Sequence, residues 1–228
     1  MKALLIPIKD PLRAKTRLAD LLTGEERRHL VWTMFEDVSL AAAAATKPDR
    51  IVVVTSFAPA AECARILGWD VLIEEQQTSE SASVDWASRV LGESGFDTVM
   101  RLPADVPLVK AEDIDELMAI ELIRPAALLV PSCDGTGTNA IIRTPPGLFP
   151  SRFGPNSLAL HKEEAARVGV ECVIVTNPGI ALDIDDPSDL ELFMKCGQGT
   201  RTFNALVEME ITYRIGRQPM DSRMKADS

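Results

Sequence analysis

The chain has little of what marks several common classes of protein. Four cysteines (Cys63, Cys133, Cys172 and Cys196) in 228 residues show no C-x-x-C spacing, which argues against a zinc site or a disulfide framework and leaves buried free thiols as the expectation. No apolar run approaches the roughly 18 residues of a spanning helix. The opening MKALLIPIKD turns polar too early for a signal peptide, so a cytoplasmic location is expected. Basic residues are in the minority, 24 against 34 acidic ones, and the formal charge is −10. Nucleic acid and membrane surfaces are therefore not expected partners, although a local cationic cluster could still hold a small anion. There is no G-x-x-x-x-G-K-[S/T] loop and no G-x-G-x-x-G fingerprint. The two histidines, His29 and His161, have no serine or cysteine partner at a triad spacing and are read as satisfied core or surface residues.

What the chain does contain is an alternation. Short apolar runs at 3–8, 50–56, 70–75, 98–105, 127–132 and 171–176 suit buried strands, and stretches with helical spacing at 25–46, 59–67, 80–91, 112–123 and 155–168 separate them. That order predicts an α/β fold with a mostly parallel sheet flanked by helices. Apolar residues make up 46% of the chain, enough for one core of this size. Thr23, followed by Glu25 and Glu26, reads as a helix start, and Pro48 as its stop. A single domain is expected over residues 1–195. In the extension 196–228, ALVEMEITYRI (205–215) reads as an added edge strand or an oligomer contact, and the last dozen residues as disordered.

In open α/β sheets ligands bind beyond the carboxyl ends of the strands. After the first run come Lys9, Arg13, Lys15 and Arg17, an anion site in an otherwise acidic chain. After the fourth stands Asp105, stiffened by Pro103 and Pro107 and too early to cap the next helix. It faces the cationic loop and suits Mg²⁺, which prefers one or two carboxylates plus phosphate oxygens. Asp183 and Asp185 share one face of an extended segment and could complete that site or serve structure, whereas Asp186, with Ser188 and Asp189, reads as a helix N-cap. CDGTGTNA (133–140) offers the hydroxyls of Thr136 and Thr138 and the Asn139 amide, and Gly154 leads to Ser157 at a helix start, where an anion is favoured.

Five stretches, IPIKDPLRAKTRLADLLTGEERRHL, LPADVPL, PSCDGTGTNAI, FGPNSLALHKEEA and ALDIDDPSDL, together resemble the 2-phospholactate guanylyltransferase family of coenzyme F-420 biosynthesis, from residue 1 to about 195. The resemblance implies a single-domain, Rossmann-like nucleotidyltransferase that transfers GMP from GTP to the phosphate of a three-carbon acid and releases diphosphate. The acid would be 2-phospho-L-lactate, phosphoenolpyruvate or 3-phospho-D-glycerate. Carried over by position, Thr138, Asn139, Gly154 and Ser157 would bind the acid, and Pro7, Lys9, Lys15, Arg17 and Ser83 the nucleotide. Lys15 and Asp105 would be catalytic, with Mg²⁺ on Asp105, Asp183 and Asp185, and a homodimer is a possible assembly. Val84 and Asp85 stand where many members have Leu-Asn, which leaves guanine contacts through Ser81, Ser83 or Asp85 the least defined. The alternatives are a sugar-phosphate or molybdopterin acceptor, against which the DGTGTNA and FGPNS pair stands, and a non-catalytic nucleotide-binding subunit, against which Asp105 and Lys15 stand.

Overall fold

A computed structural model describes residues 1–11, 14–75 and 78–217. The expected cation Arg13 and almost all of the tail expected to be disordered lie outside the described residues. A seven-stranded sheet runs in the order β3-β2-β1-β4-β6-β5-β7, from β1 (Lys2–Pro7), β2 (Arg50–Thr55), β3 (Asp70–Ile73), β4 (Thr98–Arg101), β5 (Ala126–Pro131), β6 (Thr138–Thr144) and β7 (Cys172–Ile174). Strands β1 to β4 are parallel, as are β5 and β7; β6 alone runs antiparallel, to both β4 and β5. This is the mixed, mostly parallel sheet that the βαβ alternation predicts. One strand is new: β6 follows directly on the glycine-threonine loop and closes a hairpin with β5.

The strand residues Ala3 to Ile6 are fully buried, because helices cover both faces. On one face Leu4, Ile6, Met100 and Ile142 pack against Phe35 and Val38 of α1 (Gly24–Ala44) and Ile114 of α4 (Ala111–Ala119). On the other, Leu5, Val52 and Val99 pack against Val84 and Ala87 of α3 (Glu80–Glu93). Each such side chain contributes about 1.5–3 kcal/mol by leaving water. Helix α2 (Ala58–Ile66) connects β2 to β3, α5 (Ser157–Arg167) precedes β7, and the short α6 (Pro178–Ala181) follows it. Thr23 and Glu26 form the capping box expected at the start of α1, with Thr23 N–H on Glu26 Oε2 at 2.8 Å and Glu26 N–H on Thr23 Oγ1 at 3.2 Å. The four cysteines are free, but none is fully buried as expected: Cys63 and Cys172 are half-buried, and Cys133 and Cys196 are exposed. No helix among the described residues is long and apolar enough to cross a membrane.

The C-terminal segment corrects the sequence reading. Residues 205–215 are not an edge strand but lie in α8 (Arg201–Glu208) and α9 (Ile211–Arg217), which follow α7 (Pro187–Cys196). Their apolar residues recur at helical spacing, so Ala205, Leu206, Met209, Ile211 and Ile215 all face inward, onto Leu18, Leu22 and Met34 near the start of the chain and Phe193 of α7. That second core runs through residue 195, where a domain boundary was expected. The buried Asp37 of α1 accepts hydrogen bonds from Arg201 N–H at 2.9 Å, Thr202 N–H at 2.8 Å and Thr202 Oγ1 at 2.7 Å, and so caps α8 from another helix. Asp37→Ala is expected to lower the unfolding free energy by about 2–4 kcal/mol, because it strips three donors of their acceptor. Urea unfolding checks this, and a midpoint equal to that of the parent protein rules the capping role out.

Candidate active site

Three strand ends meet at one edge of the sheet. Strand β1 ends at the buried Pro7, and Ile8 N–H continues its ladder with a 3.1 Å bond to the Val54 carbonyl. Lys9 lies exposed beyond it, and the loop then reaches Lys15, whose backbone sits in the left-handed region at φ 52° and ψ 41°. For a non-glycine residue that costs about 1–2 kcal/mol, which the side chain offsets. Lys15 Nζ donates to Asp105 Oδ2 at 2.5 Å and to Asp185 Oδ1 at 2.6 Å, and the lysine side chain is only 7% exposed. A single turn of 3-10 helix, Thr16–Leu18, follows: it buries Leu18 in the second core and leaves Arg17 in solvent.

Asp105 stands in the turn after β4, and its carbonyl accepts Ile184 N–H at 3.2 Å. That bond laces residues 182–185 alongside it. Leu182 and Ile184 point into the core, so Asp183 and Asp185 turn to the same side as Asp105, as the period-two spacing requires. Asp186 accepts Ser188 N–H at 2.8 Å and Asp189 N–H at 3.2 Å, the N-cap of α7.

The charges of this cluster do not balance: three carboxylates surround one ammonium. Burial by itself would lower the pKa of Lys15, yet Asp105 and Asp185 together raise it. Burial would raise that of Asp105, but Lys15 and, more distantly, Arg101 hold it down. Asp183 carries the excess. Burial, then the charges of Asp105 and Asp185, push its carboxyl up to about 6, against partial relief from the Asn139 amide and Lys15. Among the described residues no three His, Cys, Asp or Glu side chains form a ready-made metal cluster. The reason is visible in the contacts: Lys15 lies between Asp105 and Asp185, and Asn139 holds Asp183. The donor set is nevertheless all carboxylate oxygen, which fits a hard cation such as Mg²⁺.

The glycine-threonine loop and the start of α5 are knitted together beside this cluster. Asp134 accepts Thr136 N–H at 2.9 Å and Thr136 Oγ1 at 2.7 Å, so the Thr136 hydroxyl is used within the loop. Gly137 N–H bonds Ser132 Oγ at 2.7 Å, and a Cβ there would lie equally close to that oxygen, so a side chain would have to displace the serine hydroxyl. Ser157 Oγ accepts Thr138 N–H at 2.8 Å, and Leu158 N–H reaches the Thr136 carbonyl at 3.0 Å. Gly154, at φ 124°, makes the turn into α5. His161 Nε2 accepts Arg152 N–H at 2.8 Å, so its proton is on Nδ1 and is donated to Thr138 Oγ1 at 3.0 Å. Burial and the Arg143 and Arg101 charges lower the His161 pKa to about 4, keeping it neutral. The Thr138 hydroxyl hydrogen is thereby left to point elsewhere.

Several expected ligands are placed differently from the sequence reading. Asn139 is buried at a β-bulge, and its amide nitrogen donates to the carbonyls of Ile180 at 2.9 Å and Ala181 at 2.8 Å and to Asp183 Oδ1 at 3.0 Å. Its Nδ2 is thus engaged by the protein. Ser83, expected at the nucleotide, is 1% exposed and donates to the Ser79 carbonyl at 2.9 Å inside α3. Asp85, expected near guanine, pairs with the buried Arg143 at 3.0 Å and accepts Ser151 N–H and Oγ. Ser81 Oγ accepts Phe153 N–H at 2.9 Å. A serine in the first helical turn bonds backwards or across more cheaply than outwards, and sequence spacing does not reveal this. Two groups went unnoticed, Arg101 and Glu80; a charged residue closing the apolar strand TVMR was the available signal. A cavity of about 930 Å³ opens towards the opposite, amino-terminal edge of β4; Asp85 lines it, together with Trp86, Arg89, Phe96, Arg124 and Pro145.

Asp183 yields a signed pH dependence. A carboxyl with a raised folded-state pKa contributes stability that is fully present below its unfolded value and lost as pH rises through about 6. In chelator, Asp183→Asn is therefore expected to stabilise the protein by about 1–3 kcal/mol at pH 8 and by almost nothing at pH 4. Thermal unfolding at both pH values measures it; a pH-independent difference between variant and parent contradicts the charge imbalance.

Comparison with known proteins agrees with this architecture. The family described as "Guanylyl transferase CofC like" matches residues 1–226. The chain is 34% identical to a phosphoenolpyruvate guanylyltransferase of Rubrobacter xylanophilus over 81% of this chain and 89% of that protein. It is 33% identical to a 3-phospho-D-glycerate guanylyltransferase of Colwellia psychrerythraea over 83% and 89%, and 29% identical to a 2-phospho-L-lactate guanylyltransferase of Methanothermobacter thermautotrophicus over 93% of each. In fold it is similar to a candidate nucleotide-diphospho-sugar transferase crystallised from Desulfovibrio desulfuricans G20, with TM-score 0.76, 17% identity, and 95% of this chain and 97% of that one covered. The sheet, the carboxylate-lysine cluster at its edge and these relatives lead to one conclusion: the chain belongs to the CofC-like guanylyl transferase family.

Proposed function

We propose that the protein transfers GMP from GTP to the phosphate of a phosphorylated three-carbon acid, in the biosynthesis of coenzyme F-420, with Mg²⁺ as its cofactor. The observation that carries this reading is Lys15 held between Asp105 and Asp185, at the edge of the sheet that also bears the paired acceptor loops. Relatives named for three different phospho-acids support the acceptor class.

An oxygen of the acceptor phosphate attacks the α-phosphorus of GTP. The new O–P bond forms as the bond to the β-phosphate oxygen breaks, and diphosphate leaves. Two polyanions must approach before any bond changes, so the contribution of the protein is positioning and charge. Lys15 and Lys9 neutralise the triphosphate on the β1 side, and Arg17 lies exposed on the same loop. Asp105, with Asp185 and Asp183, would hold Mg²⁺, which when bound would supply positive charge against the phosphates. The acid sits against the loop of residues 132–138 and the Gly154–Ser157 turn, in which the Thr138 and Ser157 side chains are themselves buried. Asn139 influences the choice of acid through the position of Asp183, since its amide nitrogen is already engaged. No covalent enzyme intermediate is needed.

The decisive test is GTP-dependent diphosphate release with 2-phospho-L-lactate, phosphoenolpyruvate and 3-phospho-D-glycerate side by side. Activity with at least one acid is expected, lost in chelator and restored by Mg²⁺; silence with all three refutes the proposal. Asp105→Asn is expected to reduce kcat by about 100-fold or more while circular dichroism stays unchanged. Lys15→Ala should raise the KM for GTP well beyond that for the acid, and the opposite ordering would reassign the cationic loop.

A further inference from the structure

Arg101 closes β4 on the same sheet face as Val99 and is buried, at 5% exposure. One arm of its guanidinium, Nη1, donates to the Asn139 carbonyl at 2.7 Å, and the other, Nη2, pairs with Glu80 Oε1 in the first turn of α3. Its Cζ lies 4.2 Å from the centroid of the Phe153 ring. Each partner leads to the acceptor side of the site. Asn139 occupies the bulge of β6 and holds Asp183. Phe153 precedes Gly154, and its N–H is tied to Ser81 of α3. A single cation therefore spans the bulged start of β6, the turn into α5 and the first turn of α3.

Such a junction is costly to build with arginine. Burying a cation carries a desolvation penalty, and apolar residues could join the same elements without it. Among the described residues Nε finds no hydrogen-bond partner, a further loss on burial. Burial lowers the pKa of Arg101 to about 10, opposed by the charges of Asp105 and Asp183, so it stays protonated at neutral pH. What arginine adds over an apolar plug is a planar fork that fixes the bulge carbonyl and a ring face at once, together with positive charge beneath a seat for an anionic acid.

We propose that Arg101 is a positioning residue for the acceptor: by holding the Asn139 carbonyl and Phe153 in fixed relation, it sets the spacing between the 132–139 loop and the Gly154–Ser157 turn. This rests on the acceptor reading given above. Among the described residues Arg101 makes no hydrogen bond to the loop after β1; its charge does reach Lys9, whose pKa burial and then Arg101 lower, so direct nucleotide contact is left to Lys9 and Lys15. The test is steady-state kinetics of Arg101→Met and Arg101→Lys with GTP and the acid varied separately. R101M is expected to raise the KM for the acid about tenfold or more while that for GTP moves less than about threefold. R101K keeps the charge but not the fork or the stack and is expected to recover part of the loss, leaving a rise of about threefold. Parallel rises in both KM values, or an unaltered acid KM in folded R101M, overturn the proposal. If R101M does not fold, the same split in R101K decides. A parent protein that turns over none of the three acids refutes the functional reading instead, and parent activity thus separates the two failures.

Discussion

One ammonium group between two carboxylates organises this molecule. Lys15 meets Asp105 and Asp185 across 90 and 170 residues of chain, and through them the first loop, the turn after β4 and the segment before α7 are held at one edge of the sheet. A buried pair is not in general a large source of net stability, since desolvation consumes much of its Coulomb energy. Here it holds a left-handed lysine in place and keeps a third carboxylate, Asp183, close to two others. That uncompensated negative charge is what the proposed divalent cation would neutralise.

The proposed acceptor side is organised differently, by hydrogen bonds that consume nearly every conspicuous polar group. Asp134 uses the Thr136 hydroxyl, Ser157 receives Thr138 N–H, His161 orients Thr138, and Asn139 is spent on the 180–183 segment. In the proposed reading the loop works less as a set of free donors than as a rigid seat. Rigidity is what an enzyme needs when its task is to hold two anions in line, because the entropy of positioning is met during folding rather than at the moment of reaction. Beneath the seat, Arg101 connects its two halves.

The C-terminal helices serve the same end from a distance. Residues of α8 and α9 cover Leu18 of the 3-10 turn that follows Lys15 and Leu22 beyond it, and Arg214 reaches Glu26 at 2.7 Å in the capping box of α1. The loop bearing the cations is thus backed by a packed cluster, and residues beyond 195 belong to the support of the site rather than to an appendage.

The sequence alone determined the alternation of strands and helices, the parallel character of the sheet, the caps at Thr23 and Asp186, and the cluster of Lys15, Asp105, Asp183 and Asp185. These follow from local period, turn chemistry and the rule that ligands gather at carboxyl strand ends, all of which are written within short windows of chain. Family-specific strings such as DGTGTNA and FGPNS added the activity. Tertiary structure decided what depends on distant partners: β6 as an antiparallel insert, α8 and α9 in place of an edge strand, the engagement of Asn139, Ser83 and Asp85 by other protein groups, and the roles of Arg101 and Glu80. A serine or asparagine carries the same donors whether it faces a ligand or a neighbouring carbonyl. Only the packing of elements far apart in the chain selects between the two, because only there is the competing acceptor brought within hydrogen-bond reach.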